Sequence, residues 1–200
     1  MTKRSFAVLI AFLLLVCSFA TFCLCGCGAD VIELSPEEEA QWEARQIDLY
    51  RDVVLSDFSA ETLDGKTVGF EDCFAGNKIT MINIWGTFCS SCIEEMPEIV
   101  KAYNELPDKT NIITICTDAG DNEKNLKFAR EVMDKVDAQF LTIIPDEQLK
   151  NDLTDRTDCF PTTIFVDETG KTVGTPYMGN CEKEGFLEAI RECMKAVEHQ

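Results

Sequence analysis

The sequence predicts an α/β domain, a mixed central sheet flanked by helices with a hairpin added on its amino-terminal side. Three observations predict it. From Ile79 onward, short apolar runs alternate with amphipathic stretches of helical period, the pattern of strand–helix–strand units. The last part departs from that alternation: two strand patterns flank one turn, and a closing helix follows. At 200 residues and 46% hydrophobic content, the chain can build one ordinary core and is too short for two.

The elements follow in order. Lys3 and Arg4 precede an uncharged stretch from Ser5 to Ala29 whose centre, Phe6 to Val16, has the form of an export signal. It closes in Leu24-Cys25-Gly26-Cys27, after which the chain turns acidic. Ser35 to Val53 reads as an acidic helix or linker. Ser35 suits the cap, Pro36 the first helical position, and Glu37 to Glu39 the positive helix end. Phe58 to Val68 reads as a hairpin turning at Asp64-Gly65. Ile79 to Trp85 has the pattern of a buried strand. A helix is expected from about Ser90, with Ile93, Met96, Val100 and Tyr103 on one face and a kink at Pro97.

Asn111 to Thr117 is a second strand of that unit, and Asn122 to Asp137 a helix with Leu126, Ala129, Met133 and Val136 as its stripe. Phe140 to Ile144 and Asp146 to Leu153 read as a strand and a short helix. Thr162–Val166 and Thr172–Met178 then flank a turn at 167–170, and the final helix carries Phe186, Ile190, Cys193 and Val197. The expected organisation is therefore a signal over 1–26, an acidic tether over 27–52 and a domain over 53–200.

Charge excludes one class of partner. Thirty-six acidic residues against 18 basic ones give −18, the wrong sign for nucleic acid, whose phosphates demand Lys and Arg in excess. Removing residues 1–26 takes away two basic residues and no acidic ones, leaving −20. Anionic headgroups repel such a surface, which fits a domain held off the membrane on a tether.

The chemistry sits in Cys89-Ser90-Ser91-Cys92, where the strand ending at Trp85 gives way to a helix. A thiol at a helix amino end faces unpaired amide protons and the positive end of the macrodipole, and both favour thiolate. Two intervening residues put the second sulfur one turn on, within disulfide reach. Cys89 is then the exposed nucleophile, and Cys92 the covered thiol that resolves a mixed disulfide. Zinc would need a second ligand pair at suitable spacing, and the sole histidine is His199, so no metal or other cofactor is expected. An inert structural disulfide is the remaining alternative.

Trp85-Gly86-Thr87-Phe88-Cys89-Ser90-Ser91-Cys92 resembles the active-site segment of the thioredoxin superfamily, and Phe160-Pro161-Thr162-Thr163 resembles its cis-proline segment. Asn83, together with Glu94-Glu95-Met96-Pro97, makes the chain similar to the membrane-tethered TlpA/ResA branch. The resemblance spans about Val53 to Val197 and implies a thioredoxin-like fold. It implies that Pro161 is cis and packs on the sulfurs, that Phe160 offers its amide to a substrate strand, and that Trp85 belongs to the substrate-binding surface. Where cytoplasmic thioredoxins bury an aspartate this chain has Asn83, which takes no proton, so the resemblance points to Glu95 as proton acceptor for Cys92. Only one of the neighbours Glu94 and Glu95 can face the dithiol. Ser91 stands where many relatives have proline, which should loosen the turn.

The Leu24–Cys27 box resembles a bacterial lipoprotein signal. It implies cleavage before Cys27, lipid attachment to Cys27 and a place on the extracytoplasmic face of the cell membrane. Cys25 is a rival attachment point and an uncleaved anchor the alternative. The partners implied are protein disulfide substrates and a membrane thiol carrier of the CcdA/DsbD kind. Candidate substrates are apocytochrome c, an exported methionine sulfoxide reductase and envelope proteins, and the domain is expected to be a monomer. The function expected is disulfide reduction; a thiol oxidase and a noncatalytic partner-binding lipoprotein are the alternatives. A peroxiredoxin would want Thr where Gly86 stands, and an Sco-like copper module three residues between its cysteines. Of the remaining thiols, Cys193 and Cys116 read as buried apolar groups and Cys73 has no evident partner. Cys159 and Cys181 are brought to one edge by the topology, so a disulfide between them is an expectation.

Overall fold

Every residue of Ile79–Trp85 is buried, so this strand, β3, must be covered on both faces. Residues 35–198 are described by the computed structural model. The signal, Cys25, Cys27 and His199 lie outside the described residues.

The remaining elements follow in chain order. α1 is Pro36–Tyr50, β1 Ser59–Thr62, β2 Thr67–Gly69 and α2 Phe70–Phe74. After β3 come α3 (Ser90–Tyr103), β4 (Thr110–Cys116), α4 (Glu123–Lys135), β5 (Leu141–Ile144) and α5 (Glu147–Asp152). A 3-10 turn at Thr154–Arg156 precedes β6 (Thr162–Asp167), β7 (Thr172–Met178) and α6 (Lys183–Glu198). The sheet runs β2-β1-β5-β4-β3-β6-β7. β3, β4 and β5 are parallel, and β6 and β7 are antiparallel additions. The expected mixed sheet is therefore present, with the β1–β2 hairpin paired antiparallel to the far edge, on β5.

Alternation along β3 divides the core. Ile79, Met81 and Trp85 face a cluster built with α3, α4 and α6, including Met96, Ile99, Met133, Phe186 and Ile190. Ile82 and Ile84 face the opposite cluster, with Phe58, Phe74, Leu149 and Leu153. Each fully buried aliphatic or aromatic side chain contributes roughly 1.5–3 kcal/mol of burial free energy, so the two faces carry the domain together.

Three elements differ from expectation. The five-residue α2 has no apolar period of its own, and Asp72 starts it by accepting a hydrogen bond from the Gly69 N–H at 2.9 Å. α1 is more than a tether. Gln46 and Tyr50 are buried, the Tyr50 hydroxyl lies 3.0 Å from Thr157 Oγ1, and Gln46 Nε2 donates to Asp158 at 3.3 Å. This helix thus packs beside the loop leading to Pro161. In α3 the wholly buried face is Cys92, Glu95, Met96, Ile99 and Ala102; Ile93, Val100 and Tyr103 flank it. A glutamate inside the stripe hides its true centre from hydropathy. α3 continues through Pro97 to Tyr103 without a break. Among the described residues, no helix is long and apolar enough to cross a membrane.

Candidate active site

Leaving β3, the chain makes a short loop, Gly86–Phe88, and enters α3 at Cys89. Asp118, two residues past β4, fixes that loop. Its carboxylate accepts from the Thr87 N–H at 2.8 Å, from Thr87 Oγ1 at 2.5 Å and from Asn125 Nδ2 at 3.1 Å. The Trp85 carbonyl accepts from the Thr117 N–H at 2.9 Å. Sequence reasoning misses Asp118, although its place just after a strand of the parallel unit, whose ends form the active-site edge, is a usable signal.

Cys89 is the cap residue of α3, and its Sγ accepts from the Cys92 N–H at 3.2 Å. Ser91 Oγ lies 3.3 Å from the same sulfur. These are the contacts a thiolate at Cys89 would use. Cys89 and Cys92 are joined in a disulfide with a Cα separation of 5.3 Å. Cys89 is 7% exposed and Cys92 wholly buried, so the expected order of access holds, although Cys89 is far less open than expected.

The second motif meets the first. The Phe160–Pro161 bond is cis, and Pro161 is buried. The Phe160 ring packs edge-on against Phe88, with centroids 5.3 Å apart. Phe88, 64% exposed, is the surface aromatic of this site; a side chain at Gly86 would run into its ring. Trp85, by contrast, has no exposed surface and cannot touch a substrate. It closes a central strand covered from both sides, which corrects its expected place in the binding surface.

Between Glu94 and Glu95 the structure chooses clearly. Glu94 is exposed, whereas Glu95 is 2% exposed and one helical turn beyond Cys92 on the same face. Its carboxylate accepts from Asn83 Nδ2 at 3.0 Å and from the Cys181 N–H at 2.7 Å. Asn83 also donates to Thr163 Oγ1 at 3.0 Å. Burial raises the Glu95 carboxyl to about 7, against the smaller lowering effect of those two hydrogen bonds. Sequence reasoning also misses Thr163 and the Cys181 amide, because neither residue type advertises a contact made across the fold.

No disulfide joins Cys159 to Cys181, which corrects the expected pairing. Cys181 is buried in the cluster with α3 and α6, while Cys159 lies near Tyr50 at the end of α1. The two arrive at one edge but face different surroundings.

Residues 53–185 match the AhpC/TSA family, two thirds of the chain. This chain belongs to that family. The thioredoxin-like protein YneN of Bacillus subtilis is 32% identical over 57% of this chain, which spans 64% of that protein's length. The thiol-disulfide oxidoreductase ResA of Halalkalibacterium halodurans is 31% identical over 67% of this chain and 73% of its own. Among solved structures, a thiol:disulfide interchange protein of the thioredoxin family from Chlorobium tepidum superimposes with a TM-score of 0.59. It shares 19% identity, over 72% of this chain and 97% of that one. The expected class, a thioredoxin-like fold of ResA-related thiol–disulfide oxidoreductases, agrees with the curated relatives in sequence and with the solved neighbour in fold.

Proposed function

We propose that this chain is a membrane-tethered, extracytoplasmic thiol–disulfide reductase of protein substrates. The observation that carries the reading is Glu95: a wholly buried carboxyl on the face of Cys92, held near neutrality, beneath a dithiol at a helix amino end. In the proposed reaction, Cys89 thiolate attacks one sulfur of a substrate disulfide, and the other sulfur leaves as thiolate. Glu95 takes the proton of Cys92. The Cys92 thiolate then attacks Cys89 Sγ, so that the Cys89–Cys92 disulfide forms and the substrate leaves with both sulfurs reduced. A membrane thiol carrier of the CcdA/DsbD kind returns the two electrons.

The resemblance in the signal supports lipid attachment at Cys27 and a place outside the cell membrane, and the net charge of −18 suits a domain held off anionic lipid. Apocytochrome c, an exported methionine sulfoxide reductase and envelope proteins are the substrates that fit this reading. Gly86 occupies the place where a peroxiredoxin would carry threonine, which favours disulfides over peroxide as substrate.

The decisive measurement is the reduction potential of the Cys89–Cys92 couple. A value near or below about −250 mV supports the reductase, and one near −120 mV would make the protein an oxidase. Cys92→Ser should accumulate mixed disulfides through Cys89; a variant that releases product normally would refute the resolving role.

A further inference from the structure

The segment that carries Phe160 and Pro161, residues 157–161, belongs to no helix or strand. It must nevertheless hold Phe160 in place, because that ring packs edge-on against Phe88, the neighbour of Cys89. Backbone hydrogen bonds secure its two ends. The Thr157 N–H donates to the Thr154 carbonyl at 3.1 Å, and the Pro161 carbonyl accepts from the Gly179 N–H at 2.9 Å. Inside the segment, the Cys159 carbonyl accepts from Thr162 Oγ1 at 2.8 Å. The side chains of Thr157 and Asp158, which lead into Phe160, are met from outside, by α1.

Gln46 is 1% exposed, and its Nε2 donates to Asp158 Oδ1 at 3.3 Å. Arg45 Nη2 reaches the other oxygen, Oδ2, at 3.2 Å, an exposed pair that adds little by itself. One turn further along α1, Tyr50 is buried and its hydroxyl lies 3.0 Å from Thr157 Oγ1. Thr157 Oγ1 in turn donates to the Leu153 carbonyl at 3.4 Å, which leaves Tyr50 as donor in the first contact. A buried amide or hydroxyl stripped of its partner is costly, so these contacts fix the segment to α1. The helix is itself a fixed support. The Tyr50 carbonyl accepts from Thr172 Oγ1 at 2.6 Å, and the Leu55 N–H donates to the Gly170 carbonyl at 2.9 Å, so its carboxyl end is tied to β7 and the turn before it. A helix that served only as a tether would need none of these buried contacts.

We propose that α1 belongs to the substrate-binding apparatus: Gln46 and Tyr50 are positioning residues that hold segment 157–161 so that Phe160 stands against Phe88 when a protein disulfide docks. The inference rests on the proposed exchange with protein substrates. Gln46 and Tyr50 reach the substrate only through that segment, so they act on the binding of a polypeptide and leave the sulfur chemistry alone. Losing them therefore raises the substrate concentration needed and spares the limiting rate. A small disulfide, with no chain to lay against Phe160 and Phe88, does not feel the loss.

The test mixes the reduced full chain with rising concentrations of insulin or of hydroxyethyl disulfide, and follows its oxidation by acid quench and alkylation. Gln46→Ala and Asp158→Ala should each raise the half-saturating insulin concentration about fivefold. Their limiting rate, their rate with hydroxyethyl disulfide and the Cys89–Cys92 reduction potential should stay within error of the parent. Tyr50→Phe, which keeps the buried ring, should act in the same direction by about twofold. Asp158→Asn keeps an acceptor for Gln46 and should recover most of the Asp158→Ala loss. The proposal is overturned if Gln46→Ala and Tyr50→Phe both saturate with insulin as the parent does. It is equally overturned if both disulfides are slowed alike, which would make α1 a support of the whole domain, or if Asp158→Asn recovers nothing. The parent separates the two levels. If it does not exchange with insulin at all, the proposed function fails and this inference with it; if it exchanges and the variants match it, only the role of α1 fails.

Discussion

Cys92 and Cys73 are both wholly buried cysteines on helices packed against the same sheet, yet their surroundings oppose each other. Cys92 has a redox partner at 5.3 Å between Cα atoms and a carboxyl one turn on. Cys73 has apolar neighbours and the charge of Asp72, and burial above all pushes its thiol up to about 12. Cys193 is similar: burial, with Glu192 adding, raises it to about 11. Burial alone therefore silences a cysteine. The Cys89–Cys92 pair differs in what accompanies burial, namely a helix amino end at Cys89, a second sulfur and the Glu95 carboxyl one turn on, the features on which the proposed reactivity rests.

The largest effect that can break this contrast is chemical. In the reduced native protein near neutral pH, Cys89 should alkylate with iodoacetamide at least about 10³-fold faster than Cys73, given the thiolate fractions involved. Mass-spectrometric labelling rates decide it, and comparable rates at Cys73 would end the distinction. Cys89→Ser should abolish reduction of insulin disulfides, whereas Cys73→Ser should leave it near the parent value.

The next effect is on stability. The Glu95 carboxyl is raised in the folded state, from 4.5 to about 7, so between those values the folded protein binds more protons than the unfolded chain. Its contribution is fully present below about pH 4.5 and lost as pH rises toward 7. That loss amounts to about 3 kcal/mol. Urea unfolding at pH 4.5 and pH 8 should show the fall in the parent and a smaller one in Glu95→Gln; equal slopes would deny that Glu95 is buried and protonated.

A smaller effect sharpens the role of Cys193 as filling. Gly174 has φ 69°, and a Cβ there would lie 2.5 Å from Cys193 Sγ. Gly174→Ala should cost about 1–3 kcal/mol in thermal unfolding, and adding Cys193→Ala should return part of it. Smallest is the clamp on the active-site loop. Asp118→Ala removes acceptors from Thr87 and Asn125 and should lower stability by about 1–2 kcal/mol, with Cys89 reacting more slowly. A Cys89 rate unchanged in that variant would show that the loop needs no clamp.

Much of the domain is legible in the order of its residues. The strands from Ile79 to Met178 and helices α3 to α6 follow apolar period and turn residues, which act over a few positions. The dithiol and the proline segment are equally local. α2 is not legible, because five residues make no period, and the apolar stripe of α3 points one position away from its true centre because Glu95 interrupts it. Trp85 has the residue type of a binding surface, yet its place at the end of a central strand buries it and leaves Phe88 outside.

The fold class, the order of elements and the Cys89–Cys92 couple depend on spacing along the chain and can be read there directly. Packing alone puts Glu95 under the dithiol, holds it with Asn83 and the Cys181 amide, and leaves Cys159 and Cys181 without a disulfide between them. Those facts depend on which faces of strands and helices meet. Asn83 and Cys181 are 98 positions apart and share one carboxylate only because β3 and the β7–α6 loop close around α3.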